Sequence, residues 1–122
     1  MRIDLNQLHF LYNASAHLAA QERYPDGLLD AMSKGGAEGM KALAWAVAEL
    51  STRGEQVRRL EGYDKGKLWT ADKVEACLLP SQIVQARQMV LDAVMHGLKA
   101  PEDEHAEIDE VLAELEKKKE TE

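Results

Sequence analysis

The chain has 122 residues, of which 45% are hydrophobic, 30% charged and 5% aromatic. That balance suits one helical domain and argues against an aromatic-rich β-sandwich or a base-stacking surface. A single cysteine, Cys77, excludes a disulfide framework or a cysteine-based zinc site within one chain, and no apolar run approaches the length of a membrane span.

The net charge of −7 argues against general nucleic-acid binding, which needs clustered lysine and arginine. The charge is unevenly placed. Residues 1–99 carry twelve acidic and twelve basic side chains, whereas residues 100–122 carry ten acidic ones against Lys117, Lys118 and Lys119. This step divides the chain into a helical domain, 1–99, and an acidic amphipathic tail, 100–122, expected to be separable from the fold. Met1-Arg2-Ile3-Asp4 lacks the basic-then-apolar layout of a secretory leader, so the expected address is the cytoplasm.

In chain order, Leu5, Leu8, Leu11 or Tyr12, Ser15 or Ala16, and Ala19 recur at helical spacing and predict one helix from Asp4 to Ala20, capped by Asp4. Tyr24-Pro25-Asp26-Gly27 is turn chemistry and ends it. A short helix follows over 26–33 with Leu28, Leu29 and Met32, and Gly35-Gly36 breaks the chain. Residues 39–52 form the most apolar stretch, with Met40, Leu43, Ala44, Val47 and Leu50 on a broad stripe. A helix apolar on most sides is central in its bundle. Gly54 is expected to end or bend this helix before a further helical segment, 55–61, with Val57 and Leu60 inward. Thr70 predicts a cap for a helix over 71–79 that buries Val74, Cys77 and Leu78, closed by Pro80. Ile83, Ala86, Val90, Ala93, Val94 and Gly97 predict the next, over 82–98, widened by Met89 and Leu91. Ile108, Val111, Leu112 and Leu115 give a narrow stripe to a last helix over 103–119. Lys67–Thr70 is the sole strand candidate. The expected architecture is therefore all-α, a bundle of five to six helices with an acidic helical tail, and a core from Leu8, Leu11, Leu43, Val47, Leu50, Val74, Leu78, Val90 and Val94.

Chemistry-bearing patterns are sparse. His9 and His17 are eight residues apart, too far for a one-helix pair, and no His-Glu-x-x-His spacing occurs. His105 lies among Glu102, Asp103, Glu104 and Glu107, a solvated acidic face before it is a metal site. Cys77 reads as a buried structural thiol. Gly35-Gly36-Ala37-Glu38-Gly39 follows no strand and precedes no lysine-serine pair, so it reads as a hinge and not as a phosphate loop. Arg53, Arg58, Arg59, Lys65 and Lys67 form a basic patch suited to an acidic partner, to the acidic tail, or simply to solvent. No catalytic, cofactor-binding or metal-ligating set emerges, and the expectation is a protein without enzymatic activity. The tail stripe is different: a lone amphipathic helix is ordered only by packing somewhere, which marks Ile108, Val111, Leu112 and Leu115 as candidate partner contacts.

Several segments together resemble the tail assembly chaperones of long-tailed bacteriophages and prophages. They are Asp4-Leu5-Asn6-Gln7-Leu8, Tyr24-Pro25-Asp26-Gly27-Leu28-Leu29-Asp30, Met40-Lys41-Ala42-Leu43-Ala44-Trp45-Ala46, Gly62-Tyr63-Asp64, and the run from Ile108 to Lys118. The opening β-hairpin of some relatives has no counterpart here. The resemblance implies a protein that keeps the long, helical tape measure protein soluble while the tail tube polymerises around it, and that is absent from the finished virion. The implied partners are the tape measure protein and the tail tube protein, with self-association as a further option, and neither nucleic acid nor membrane. The resemblance also implies a longer product made by ribosomal frameshifting, for which Lys117-Lys118-Lys119 permits an adenine-rich message. A different class, a small regulatory or adaptor bundle with one tight protein partner, fits the same residues.

Overall fold

The computed structural model describes residues 2–99, and all regular structure among them is helical. The expected tail helix over 103–119 lies outside the described residues. Five α-helices form the body: α1 Ala14–Arg23, α2 Leu28–Ser33, α3 Gly36–Leu60, α4 Ala71–Cys77 and α5 Ile83–Leu98, with 3-10 turns at Leu5–Gln7 and Pro80–Gln82.

Helix α3 is the axis, and α1, α2, α4 and α5 all pack on it. Its composition explains this. Ala42, Leu43, Ala44, Ala46, Val47 and Leu50 are fully buried, and the alternation of alanines with larger residues lets neighbours approach from several sides. Val74 from α4 and Ala86, Val90 and Val94 from α5 complete the same core. Thr70 caps α4 as expected, its side chain accepting from the Lys73 N–H at 3.3 Å.

Three expectations are corrected. The single helix over residues 4–20 is instead a 3-10 turn at Leu5–Gln7, an extended segment over 8–13, and α1. Asp4 caps only the short turn, accepting from the Asn6 N–H. Asn13 starts α1 by accepting from the Ala16 N–H at 3.0 Å. The extended segment is held from outside itself: the Leu11 N–H donates to the Leu50 carbonyl of α3 at 3.1 Å. In this path Ile3, Leu5 and Tyr12 are buried, while Leu8 and Leu11 are only half-buried.

The second correction concerns Gly54, which neither ends nor bends the central helix; α3 runs through it for 25 residues. The extended segment crosses α3 there, and a Cβ on Gly54 would stand 1.6 Å from the His9 carbonyl oxygen. The residue is small because a backbone passes over it. Third, Leu60 is not inward: it is 86% exposed at the end of α3, where Glu61 and Gly62 turn the chain away. No strand forms at Lys67–Thr70. That segment is laid along α3, with Trp69 buried and the Thr52 hydroxyl donating to the Trp69 carbonyl at 3.4 Å. Cys77 is half-buried and free.

Candidate functional site

Two features of the body invite a functional reading. The first is a polar cleft of about 230 Å³ bordered by Arg2, His9, Ser51, Glu55, Arg58 and Lys67, among others. Glu55, on α3, is the one buried carboxylate among the described residues. It accepts from the Gly66 backbone N–H and from Arg59 Nε at 3.0 Å, with Arg58 Nη1 at 3.4 Å. Gly66 N–H holds the carboxyl below the usual glutamate range, helped by the hydrogen bond from Arg59 and the charges of Arg58 and Arg59, against the opposing effect of desolvation. Arg59 also donates to the Gly66 carbonyl at 3.0 Å, and Arg58 stacks over the Tyr63 ring.

The cleft is therefore a fastening. Glu55 and its two arginines tie the loop over residues 61–70 to α3, and the lone pairs a general base would use are occupied. Much of the basic patch anticipated from sequence is spent internally: Arg58 and Arg59 on Glu55, and Arg53 on Glu49.

The histidines do not converge on a reactive group. His17 Nδ1 is 2.8 Å from the Tyr12 hydroxyl, whose pKa is raised by burial. His9 and His96 are exposed. Among the described residues no group of histidine, cysteine and acidic side chains has the arrangement of a metal site, and no helix is long and apolar enough to cross a membrane.

The second feature is the outer face of α5. Its inner face, Ala86, Val90 and Val94, packs into the core. Adjoining it, about a third of the way round the helix, Val84, Leu91, Met95 and Leu98 share one row, at successive spacings of seven, four and three. Val84 is 76% exposed, Met95 51% and Leu98 54%. Leu91 is half-buried because α2 lies beside it: Leu29, Met32, Arg87 and Leu91 enclose an apolar hollow of about 150 Å³. A second hollow continues past Leu29 to Val94 and Leu98. Helix α5 thus carries two apolar faces, one buried and one open beside a groove.

This row was legible in the sequence as a second periodicity within α5, but it merges there with the core stripe, because Met89 and Leu91 widen one apolar arc. Only the packing of α5 on α3 separates the two faces. The residues expected from sequence to meet a partner, Ile108, Val111, Leu112 and Leu115, lie outside the described residues, as does His105. Comparison with family models, with curated proteins and with solved structures returns no match.

Proposed function

We propose that the chain is a non-enzymatic phage tail assembly chaperone that binds the tape measure protein and assists tail tube polymerisation, using the outer face of α5 as its docking surface. The observation that carries the docking surface is the open row Val84, Leu91, Met95 and Leu98 on a body whose core is complete without it. Sixteen residues of α5 offer a track of about 24 Å, which accepts an amphipathic helix through apolar contacts every three or four residues. The sequence resemblance to tail assembly chaperones supplies the partner, a long helical chain whose own apolar stripes need covering. Methionine in the row suits it to stripes of varying shape. The acidic tail adds solubility and like-charge repulsion between chaperones bound side by side.

The runner-up is a regulatory or adaptor bundle that uses the same face for a single tight partner. Stoichiometry separates the two. Co-expression with a cognate tape measure protein is expected to keep that protein soluble and to yield a complex with several copies of this chain per partner chain. An insoluble tape measure protein and no isolable complex would end the chaperone reading. A one-to-one complex with some other protein would favour the adaptor.

A further inference from the structure

We infer that in the free protein the open face of α5 pairs with the same face of a second copy, the two α5 helices running parallel about a two-fold axis. The inference shares that face with the proposed function but requires no other protein; a long partner helix takes the place of the second copy.

The first observation is spacing. Val84, Gln88, Leu91, Met95 and Leu98 alternate steps of four and three, all within the described helix. That is the seam of a two-helix coiled coil, with Val84, Leu91 and Leu98 at its d positions and Gln88 and Met95 at its a positions. Leucine at d suits a two-stranded parallel pair, and one polar residue at a fixes register at some cost in stability. The seam is open along its length: all but Leu91 are exposed, and Leu91 is half-buried beside α2.

The second observation is charge. Arg87 and Asp92 flank the seam on opposite sides, at positions g and e. Both are exposed, and neither has an ion pair among the described residues. Asp92 accepts from the Gln88 side chain at 2.8 Å, which leaves its carboxylate with further lone pairs for a guanidinium. Five residues apart on one helix, Arg87 and Asp92 point away from each other and cannot pair within the chain. In a parallel pair, position g of one helix meets position e five residues further along the other. Each Arg87 therefore meets Asp92 of the other copy, and the two-fold axis makes the ion pair twice.

The same charges choose the orientation. Antiparallel, each flank of the seam meets its own counterpart, g with g and e with e. Arg87 and Asp92 lie on opposite flanks, so that arrangement brings no arginine to an aspartate.

The pairing is modest in strength. Sixteen residues of α5 hold little more than two heptads. Residues 100–122 of both copies begin at the same end, and their like charge opposes association. A reversible pair shields the apolar row and still gives way to a partner that engages the whole track.

The test uses the full-length chain alone. Sedimentation equilibrium is expected to show monomer and dimer exchanging with concentration. Arg87→Glu and Asp92→Arg, each by itself, should weaken the dimer at least about tenfold. An equimolar mixture of the two variants should recover it, because unlike copies restore both ion pairs. Both sites are exposed, so the helical circular dichroism of each variant should match that of the parent. Orientation is read by oxidation with diamide in a Cys77→Ser background. Val84→Cys and Leu98→Cys should each give a disulfide-linked dimer, since a parallel pair sets each position opposite itself. Leu18→Cys, exposed on α1, is the control and should link at least about tenfold more slowly. A chain that is monomeric at every concentration would overturn the inference. So would charge variants that dimerise as the parent does, or a mixture that recovers nothing. Substitutions at 84 and 98 that link no faster than the one at 18 would overturn the parallel pair, because an antiparallel one sets these positions at opposite ends. None of these readings involves a tape measure protein, so they stand apart from success or failure of the co-expression experiment.

Discussion

The backbone carbonyl of His9 lies over Gly54, so close that a Cβ on the glycine would stand 1.6 Å from its oxygen. Three residues further along the same extended segment, the Tyr12 carbonyl lies over Gly97, where a Cβ would come within 2.3 Å. The segment is thus seated against α3 at one end and against α5 at the other, with the Leu11 N–H bonded to Leu50 between them. Further back, the Gln82 side chain donates to the Ile3 carbonyl at 2.9 Å and accepts from the Leu79 N–H at 2.9 Å, tying the N-terminal strap to the α4–α5 connection. Because the obstacle at Gly54 is backbone, rotamer changes cannot relieve it. Gly54→Ala is expected to destabilise the protein by about 3 kcal/mol or more, at or above the upper end of ordinary overpacking, despite alanine's better helix propensity. Thermal or urea unfolding measures it; a neutral or stabilised variant would show that the strap does not sit on α3.

Leu43 is fully buried at the centre of α3, where helices on several sides limit collapse around a void. Leu43→Ala should cost about 2–5 kcal/mol without changing the helical circular dichroism spectrum of the folded fraction. A cost below about 1 kcal/mol would mean that the site relaxes freely or is not enclosed. Leu60→Ala is the contrast: at 86% exposure it should shift stability by no more than about 0.5 kcal/mol.

Glu55 makes stability depend on pH in a stated direction. Its folded-state pKa is lowered, chiefly by the Gly66 N–H, so the ionised carboxylate is favoured by folding. The contribution is complete above the ordinary glutamate value of about 4.3 and is lost as pH falls through the lower folded-state value. Glu55→Gln should therefore melt below the parent protein at pH 7, and the gap should narrow on acidification through and below pH ~4. A gap that stays constant with pH would mean that the substitution acts through shape and not through charge. Release of the loop should accompany it, visible as faster amide exchange over residues 62–69.

The helical class, the central place of residues 39–52, the Thr70 cap and the inner stripe of α5 were all legible, because each rests on local periodicity or on one capping side chain. The strap was not. Leu5, Leu8 and Leu11 mimic one helical face, and the competing bond from Leu11 to Leu50 joins residues far apart in sequence. Gly54 misled for a related reason: a glycine that permits a crossing looks the same in sequence as one that ends a helix. Trp69 was absent from the expected core because it sits on no stripe, and Tyr12 because Leu11 competes with it on the first one; each is buried by how an irregular segment is laid down. The open row on α5 was visible as residues but not as a face, since nothing local says which side of an apolar helix meets its neighbours.

A docking surface on that row has a direct consequence for partner solubility. Its most direct measurement is recovery of soluble tape measure protein from co-expression with the parent chain and with a Met95→Glu, Leu98→Glu variant. Both residues are more than half exposed, so the variant should melt within a few degrees of the parent, a change worth about 0.5 kcal/mol or less. The parent is expected to keep the tape measure protein soluble and to co-purify with it, and the variant, though folded, to lose most of both. A folded variant that solubilises and retains the partner as well as the parent would contradict it.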